Sequence, residues 1–250
     1  MTDSQSRKTT FVLVHGAFHG GWCWRHVADR LTLSGARVFA PTMTGLGERA
    51  HLLDHDVGLE TFIRDALGVI DSEEIENCVL VGHSFGGMVI SGVADRRPGA
   101  IRSLIYLDAI VPVSGLSALE LLPPDVAALR RRGAEETSGG LSIPVPPAAN
   151  FDVPPGPDRD WVERRLPPHP LAAYADPITL AAPVGNGRPR TYIRCAAPVY
   201  RAVQASYERV ALEPGWDLFD LPTGHDAMIT APELTAQALL DCAARQGYCA

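Results

Sequence analysis

Six short apolar runs constrain this chain more than any other feature. FVLVH (11–15), RVFAP (37–41), NCVLVGH (77–83), IRSLIYLDA (101–109), RTYIRC (190–195) and WDLFDL (216–221) are rich in β-branched and aromatic residues. Segments of helical spacing separate them: 22–35, ending at Gly35; 59–74; 85–97, stopped by Pro98-Gly99; 198–211; and a final helix after Pro232. Residues 42–58 read as a glycine-containing loop. Continuous apolar strands are buried on both faces, and strands alternating with helices pair in parallel. The pattern predicts an α/β fold, a doubly wound parallel sheet covered by helices on both sides.

The alternation breaks once. Residues 112–189 hold 15 of the chain's 21 prolines, with weak helical patches around 117–132 and 158–166. That is too long for a plain loop in a compact domain. It also carries Phe151, Trp161, Tyr174 and several leucines, more apolar surface than a disordered linker has. The expected organisation is a core of 1–111 and 188–250 with an inserted helical cap at 112–187. Rapid proteolysis throughout the segment, with the flanks intact, would contradict it.

Charge narrows the function. The net charge of −7 is spread without long single-sign runs, so the chain offers no basic face for nucleic acid. No apolar run approaches the roughly 18 residues of a membrane span. The stretch MTDSQSRKTT lacks the apolar segment of a secretory signal, and the expected location is cytoplasmic. Cys23, Cys78, Cys195, Cys242 and Cys249 are scattered without a C-x-x-C pair, which suggests neither a metal site nor a disulfide framework. The partner expected is a small molecule, and a homodimer is compatible with the chain.

LVGHSFGGMV (80–89) contains G-x-S-x-G between a strand and a helix. In that context the serine sits on a strained turn that lifts its hydroxyl above the sheet edge. Ser84 is therefore the candidate nucleophile, and the Phe85 N–H, at a helix start, is left to stabilise an oxyanion. A second donor is needed. FVLVHGAFHGGWCW (11–24) places Gly16 just after the first strand, so that the Ala17 N–H can reach the same oxygen if the first and third strands are neighbours.

Together with PTMTGLGERAHLL (41–53), these motifs resemble the α/β-hydrolase superfamily, in the small branch of plant methyl esterases, hydroxynitrile lyases and bacterial esterases. The resemblance covers roughly 10–110 and 188–247, and the cap matches poorly. It implies a six-stranded parallel sheet of order 2-1-3-4-5-6, a helical cap and no cofactor or metal. It also implies that His19 faces the pocket; Gly16 and Phe18, in the same loop, and Trp161 are read with it as substrate-binding residues. DLFDLPTGHDAMITAPE (217–233) puts His225 in a loop after the last strand, in the superfamily's chain order, and imidazole is a suitable general base near neutrality. His15 and His83 read as structural.

The acid is displaced. Counting back from His225 by the family's spacing lands on Ala197, beside Pro198, and TYIRCAAPVYRAV (191–203) has no carboxylate. Asp217 and Asp220 lie on the strand before His225, Glu208 falls within a helical pattern, and the side chain of Asp226 should diverge from the neighbouring ring. Asp108, in SLIYLDAIVP (103–112), lies at the end of the fourth strand, 24 residues after Ser84. Some superfamily members, haloalkane dehalogenases among them, place an acid there. The reading is a triad Ser84–His225–Asp108. A turn-capping role for Asp108 and a dyad without an acid remain alternatives.

The expected function is hydrolysis of an apolar carboxylic ester, aromatic ones included, through an acyl-serine. Trp161, Phe151 and Tyr174 are candidate pocket walls, and RRRG (130–133) reads as a solvated face. Rivals are a ligand-binding hydrolase fold, a lyase, decarboxylase or cyclase acting on an aromatic natural product, and a hydroxynitrile lyase. Those lyases carry a threonine and a lysine where this chain has Gly16 and Asp226.

Overall fold

The computed structural model describes residues 8–245. Cys249, one of the five cysteines, lies outside them. Six strands form one sheet: β1 (Thr10–Val14), β2 (Arg37–Phe39), β3 (Cys78–His83), β4 (Ile101–Leu107), β5 (Arg190–Cys195) and β6 (Trp216–Leu221). Their spatial order is β2-β1-β3-β4-β5-β6, parallel at every pairing. The central strands β1, β3 and β4 are buried almost throughout, as continuous apolar runs require.

The helices α1 (Arg25–Leu33), α2 (Leu59–Ser72) and α3 (Gly86–Arg96) follow the strands as expected. The segment 22–35 is shorter as an α-helix than its spacing predicts, because Gly21–Trp24 winds as a 3-10 turn first. The 42–58 loop likewise contains a 3-10 turn, Gly47–Leu52. Strand order reverses direction at β1. With right-handed crossovers this sends α1 and α3 to opposite faces and opens a crevice at the C-terminal edge between β1 and β3.

Register positions the chemistry. In the β3–β4 ladder Gly82 pairs Tyr106 and His83 pairs Leu107. The next residue on each strand is Ser84 and Asp108. A serine and a carboxylate 24 positions apart in sequence therefore emerge side by side at one edge.

Between β4 and β5 the chain forms α4 (Pro124–Ser138), α5 (Pro157–Glu163), short helices at Ala118–Leu121 and Leu171–Ala175, and a ribbon pairing Ser142–Ile143 with His169–Pro170. Prolines start or punctuate these pieces: Pro124 and Pro157 occupy first helical positions, where a missing N–H costs nothing. After β5 come α6 (Arg201–Val210) and, past β6, α7 (Pro232–Arg245), which packs against α1.

Candidate active site

Ser84 has φ of 53°, a left-handed conformation that a side chain adopts only under constraint. The turn is held by Ser84 N donating to Leu107 O at 3.2 Å and by Gly87 N and Ile110 N donating to Ser84 O at 3.2 and 2.9 Å. Close packing demands the glycines around it. A Cβ on Gly87 would stand 2.1 Å from Ile110 O, so only glycine lets α3 leave the elbow at this angle.

Ser84 Oγ lies 3.0 Å from His225 Nε2, and His225 Nδ1 lies 2.6 Å from Asp108 Oδ2. All three residues are buried. Asp108, itself at φ 42°, accepts the Cys195 N–H on its other oxygen at 3.1 Å, which fixes the carboxylate plane. Ala197 is exposed and contributes nothing here. Three residues on, Tyr200 lays its ring on the imidazole, centroids 3.8 Å apart and nearly parallel. Asp226 diverges as its position suggested: Oδ2 meets His19 Nε2 at 3.1 Å, and Oδ1 accepts no hydrogen bond among the described residues.

The loop after β1 presses on the elbow. A Cβ on Gly16 would be 2.8 Å from Ser84 Cβ and 2.9 Å from His83 Nδ1. Neither the Ala17 nor the Phe85 N–H donates a hydrogen bond among the described residues, so both remain free for a ligand. Phe18, at φ 64°, donates its N–H to His169 Nδ1 at 3.3 Å. His19 contacts Ala17 O through Nδ1 at 2.7 Å while Nε2 faces Asp226. Two acceptors on two ring nitrogens require an imidazolium. Burial alone would lower the His19 pKa, but the Asp226 charge and hydrogen bond outweigh it and raise it.

His15 and His83 are held by main chain. His15 contacts Gly16 O and accepts the Met43 N–H, and burial lowers its pKa to about 4. His83 donates Nε2–H to His225 O at 3.0 Å, and burial followed by the charges of His225 and His19 pushes it well down. His83, His225 and Asp226 bring possible metal-ligand atoms within 4.8 Å of one another. Both His225 nitrogens already face Ser84 and Asp108, so this cluster does not compose a metal site.

The segment between β4 and β5 roofs these residues. Phe151 sits edge-on to His19 and 6.4 Å from the His225 ring, and Tyr174 lies 4.6 Å from Phe85. Asp226 N donates to Phe151 O at 3.1 Å, tying the roof to the histidine loop. Trp161 is not brought to Ser84. It packs edge-on to Trp22 and beside His26, two rings removed from His19, where it latches the roof to α1.

Two polar residues escaped the sequence reading. His169 is fully buried against Phe18, Phe62, Phe85 and Tyr174. In RRRG only Arg131 and Arg132 form the expected solvated face. Arg130 turns inward over the Tyr174 ring, 4.4 Å from its centroid. The signal was present: Ala127, Arg130 and Ala134 fall at i, i+3 and i+7 of α4, which makes Arg130 a member of its inner stripe.

Comparison with known proteins agrees with this architecture. A family model described as "Alpha/beta hydrolase family" matches residues 11–238. The "Carbendazim hydrolyzing esterase" of Nocardioides sp. (strain SG-4G) is 46% identical, over 92% of this chain and 97% of that protein. The "Pyrethroid hydrolase" of Sphingobium wenxiniae is 27% identical, over 94% and 88% respectively. An extracellular alpha/beta-hydrolase from a Paenibacillus species superposes with a TM-score of 0.80 at 21% identity, covering 93% of this chain and 98% of that one.

Proposed function

The chain belongs to the alpha/beta hydrolase family, and on that premise we propose that it is a carboxylesterase working through an acyl-serine at Ser84. One observation carries the reading: an unbroken Ser84–His225–Asp108 chain with contacts of 3.0 and 2.6 Å. The 46% identity to a named esterase over nearly the whole length supports ester cleavage as the reaction.

His225 Nε2 takes the Ser84 proton as Oγ attacks the ester carbonyl. Asp108 holds Nδ1–H, selects the tautomer and stabilises the imidazolium that forms. The tetrahedral oxyanion sits between the Ala17 and Phe85 amides, donors that need no reorganisation as charge develops. Collapse expels the alcohol, which takes the proton from His225. Water, activated by the same imidazole, then releases the acid. Phe18, Phe151 and Tyr174 gather around the elbow and the histidine and favour an ester with an apolar, aromatic body. His19 acts from behind, bracing Ala17 through its carbonyl.

The lyase alternative is weakened by packing. A threonine side chain at position 16 would start 2.8 Å from Ser84 Cβ, and Asp226 brings a carboxylate, not a cation, beside His225. Cyanide release from mandelonitrile discriminates the two. The test of the main reading is p-nitrophenyl butyrate hydrolysis, with carbendazim and a pyrethroid as further trial substrates, together with labelling of Ser84 by a fluorophosphonate. Turnover that survives in Ser84→Ala, or failure of Ser84 to label, would reject it. A cytoplasmic location belongs to the same proposal, and cell fractionation tests it.

A further inference from the structure

The Arg130 guanidinium meets the phenols of Tyr174 and Tyr200, yet one of its nitrogens and one imidazole nitrogen nearby are buried donors with nothing to bind. Arg130 Nη1 and His169 Nε2 are both sealed from solvent and lack a partner among the described residues. Leaving such groups unsatisfied costs more than an average hydrogen bond contributes, and a charged donor costs most. The tautomer of His169 is set by its other nitrogen: Nδ1 accepts the Phe18 N–H, so Nε2 carries the proton. Burial, then the charge of Arg130, pushes its pKa well down, which keeps it a neutral donor at pH 7.

The two donors share their surroundings. The Arg130 guanidinium lies 4.4 Å from the centroid of Tyr174 and 5.9 Å from that of Phe18. His169 packs on the same two rings at 5.2 and 5.5 Å. Those rings in turn mark the catalytic groups below. Phe18 follows the Ala17 amide, and Tyr174 packs at a tilt against Phe85, the residue after Ser84. Tyr200, whose phenol is close to Arg130, lies on His225. The oxyanion loop and the elbow thus each bring a ring under the guanidinium, and the ring lying on the histidine meets it through its phenol, which puts Arg130 on the roof side of the catalytic groups. No carboxylate of the described residues pairs with it.

We propose that Arg130 and His169 form a carboxylate-binding pair in the roof, so that the ester hydrolysed at Ser84 carries a second, anionic carboxylate group away from the scissile bond. Arg130 Nη1 offers charged N–H donors to a carboxylate, and a neutral imidazole N–H supplies a further donor to one of its oxygens. The aromatic rings around them fit an apolar spacer between the two ends of the substrate. This inference rests on the esterase reading for its substrate, though the binding site itself does not.

The test uses three matched pairs: the monomethyl and dimethyl esters of succinic, isophthalic and terephthalic acids, which differ in charge at one end and vary the spacing. In at least one pair the wild-type protein turns over the charged member with kcat/KM roughly 10- to 100-fold above the neutral one, the range expected for a charge-assisted contact. Arg130→Gln removes that preference, and Arg130→Lys, which keeps the charge but loses the guanidinium, retains part of it. A preference for the neutral ester in all three pairs, or a ratio unmoved by Arg130→Gln, overturns the proposal. If no ester is turned over, calorimetry on the Ser84→Ala protein with succinate, isophthalate and terephthalate decides. Binding lost in Ser84→Ala/Arg130→Gln sustains the site while the esterase reading fails, and absence of binding by all three sinks the site as well.

Discussion

Asp108 carries the most specific prediction at the scale of single residues. An asparagine there keeps an acceptor for the Cys195 N–H, so the strand end stays intact, but turns an amide N–H toward His225 Nδ1 and imposes the wrong tautomer. Asp108→Asn should lower kcat by about 10⁴-fold with an unchanged melting temperature; near-normal turnover would leave Asp108 as a turn cap only. The buried histidines make a second prediction, with opposing signs. His15, His83 and His169 titrate below the ordinary value of 6.5 in the fold. Their stabilisation is complete above pH 6.5 and is lost as pH falls toward the folded values. His19, raised by Asp226, behaves oppositely: its contribution is complete below pH 6.5 and is lost as pH rises through its folded pKa. Three groups outweigh one, so thermal stability should decline on acidification below pH 6.5. His15 alone, displaced to about 4, contributes on the order of 3 kcal/mol to that decline. Melting curves of His15→Gln should show a shallower acid limb than those of the wild type.

At the scale of elements, the question is why the carboxylate that meets His225 lies at the end of β4 and not after β5. Parallel register puts Asp108 beside Ser84, one residue past a paired His83 and Leu107. The turn after β5 is instead directed outward at Ala197 and inward at Tyr200, which stacks on the imidazole. An aromatic face, and no carboxylate, is what this turn offers the imidazole. Ala197→Asp should therefore fail to rescue Asp108→Asn, because its side chain starts on the solvent side of that turn. Recovery of kcat in the double variant would show that either strand end serves equally. The order β2-β1-β3-β4-β5-β6 was legible from strand and helix patterning joined to family motifs, because continuous apolar strands admit few arrangements. The inward turn of Tyr200 was not, since one aromatic in a proline-containing turn has no periodicity to betray its direction.

For the whole molecule, the decisive relation is between the roof and the crevice. Ser84 is 8% exposed and His225 1%, so the roof governs how much of the serine and histidine solvent can reach. The roof is held by polar contacts as well as by rings. Asp176 accepts the Leu59 N–H at 3.1 Å, capping α2 from outside, and Asp95 accepts the Ala181 and Ala182 N–H groups at 3.0 Å each. Asp176→Ala should destabilise by about 1 kcal/mol, as loss of a helix cap does. It should also speed limited proteolysis within 112–189, read by mass spectrometry; an unchanged cleavage rate would mean that this contact does not hold the roof. The sequence by itself determined the sheet, the elbow serine and the terminal histidine. Each is written in local chemistry: apolar continuity, glycines at a tight turn, a histidine in a loop after a strand. Asp108 was named as the partner of His225 from its place at the end of the fourth strand, but only the tertiary structure decided which other distant groups share a space, such as His19 with Asp226 and Arg130 with His169. Those meetings depend on strand register and on how a proline-broken segment folds back over the crevice, and no local pattern encodes a distance across the fold.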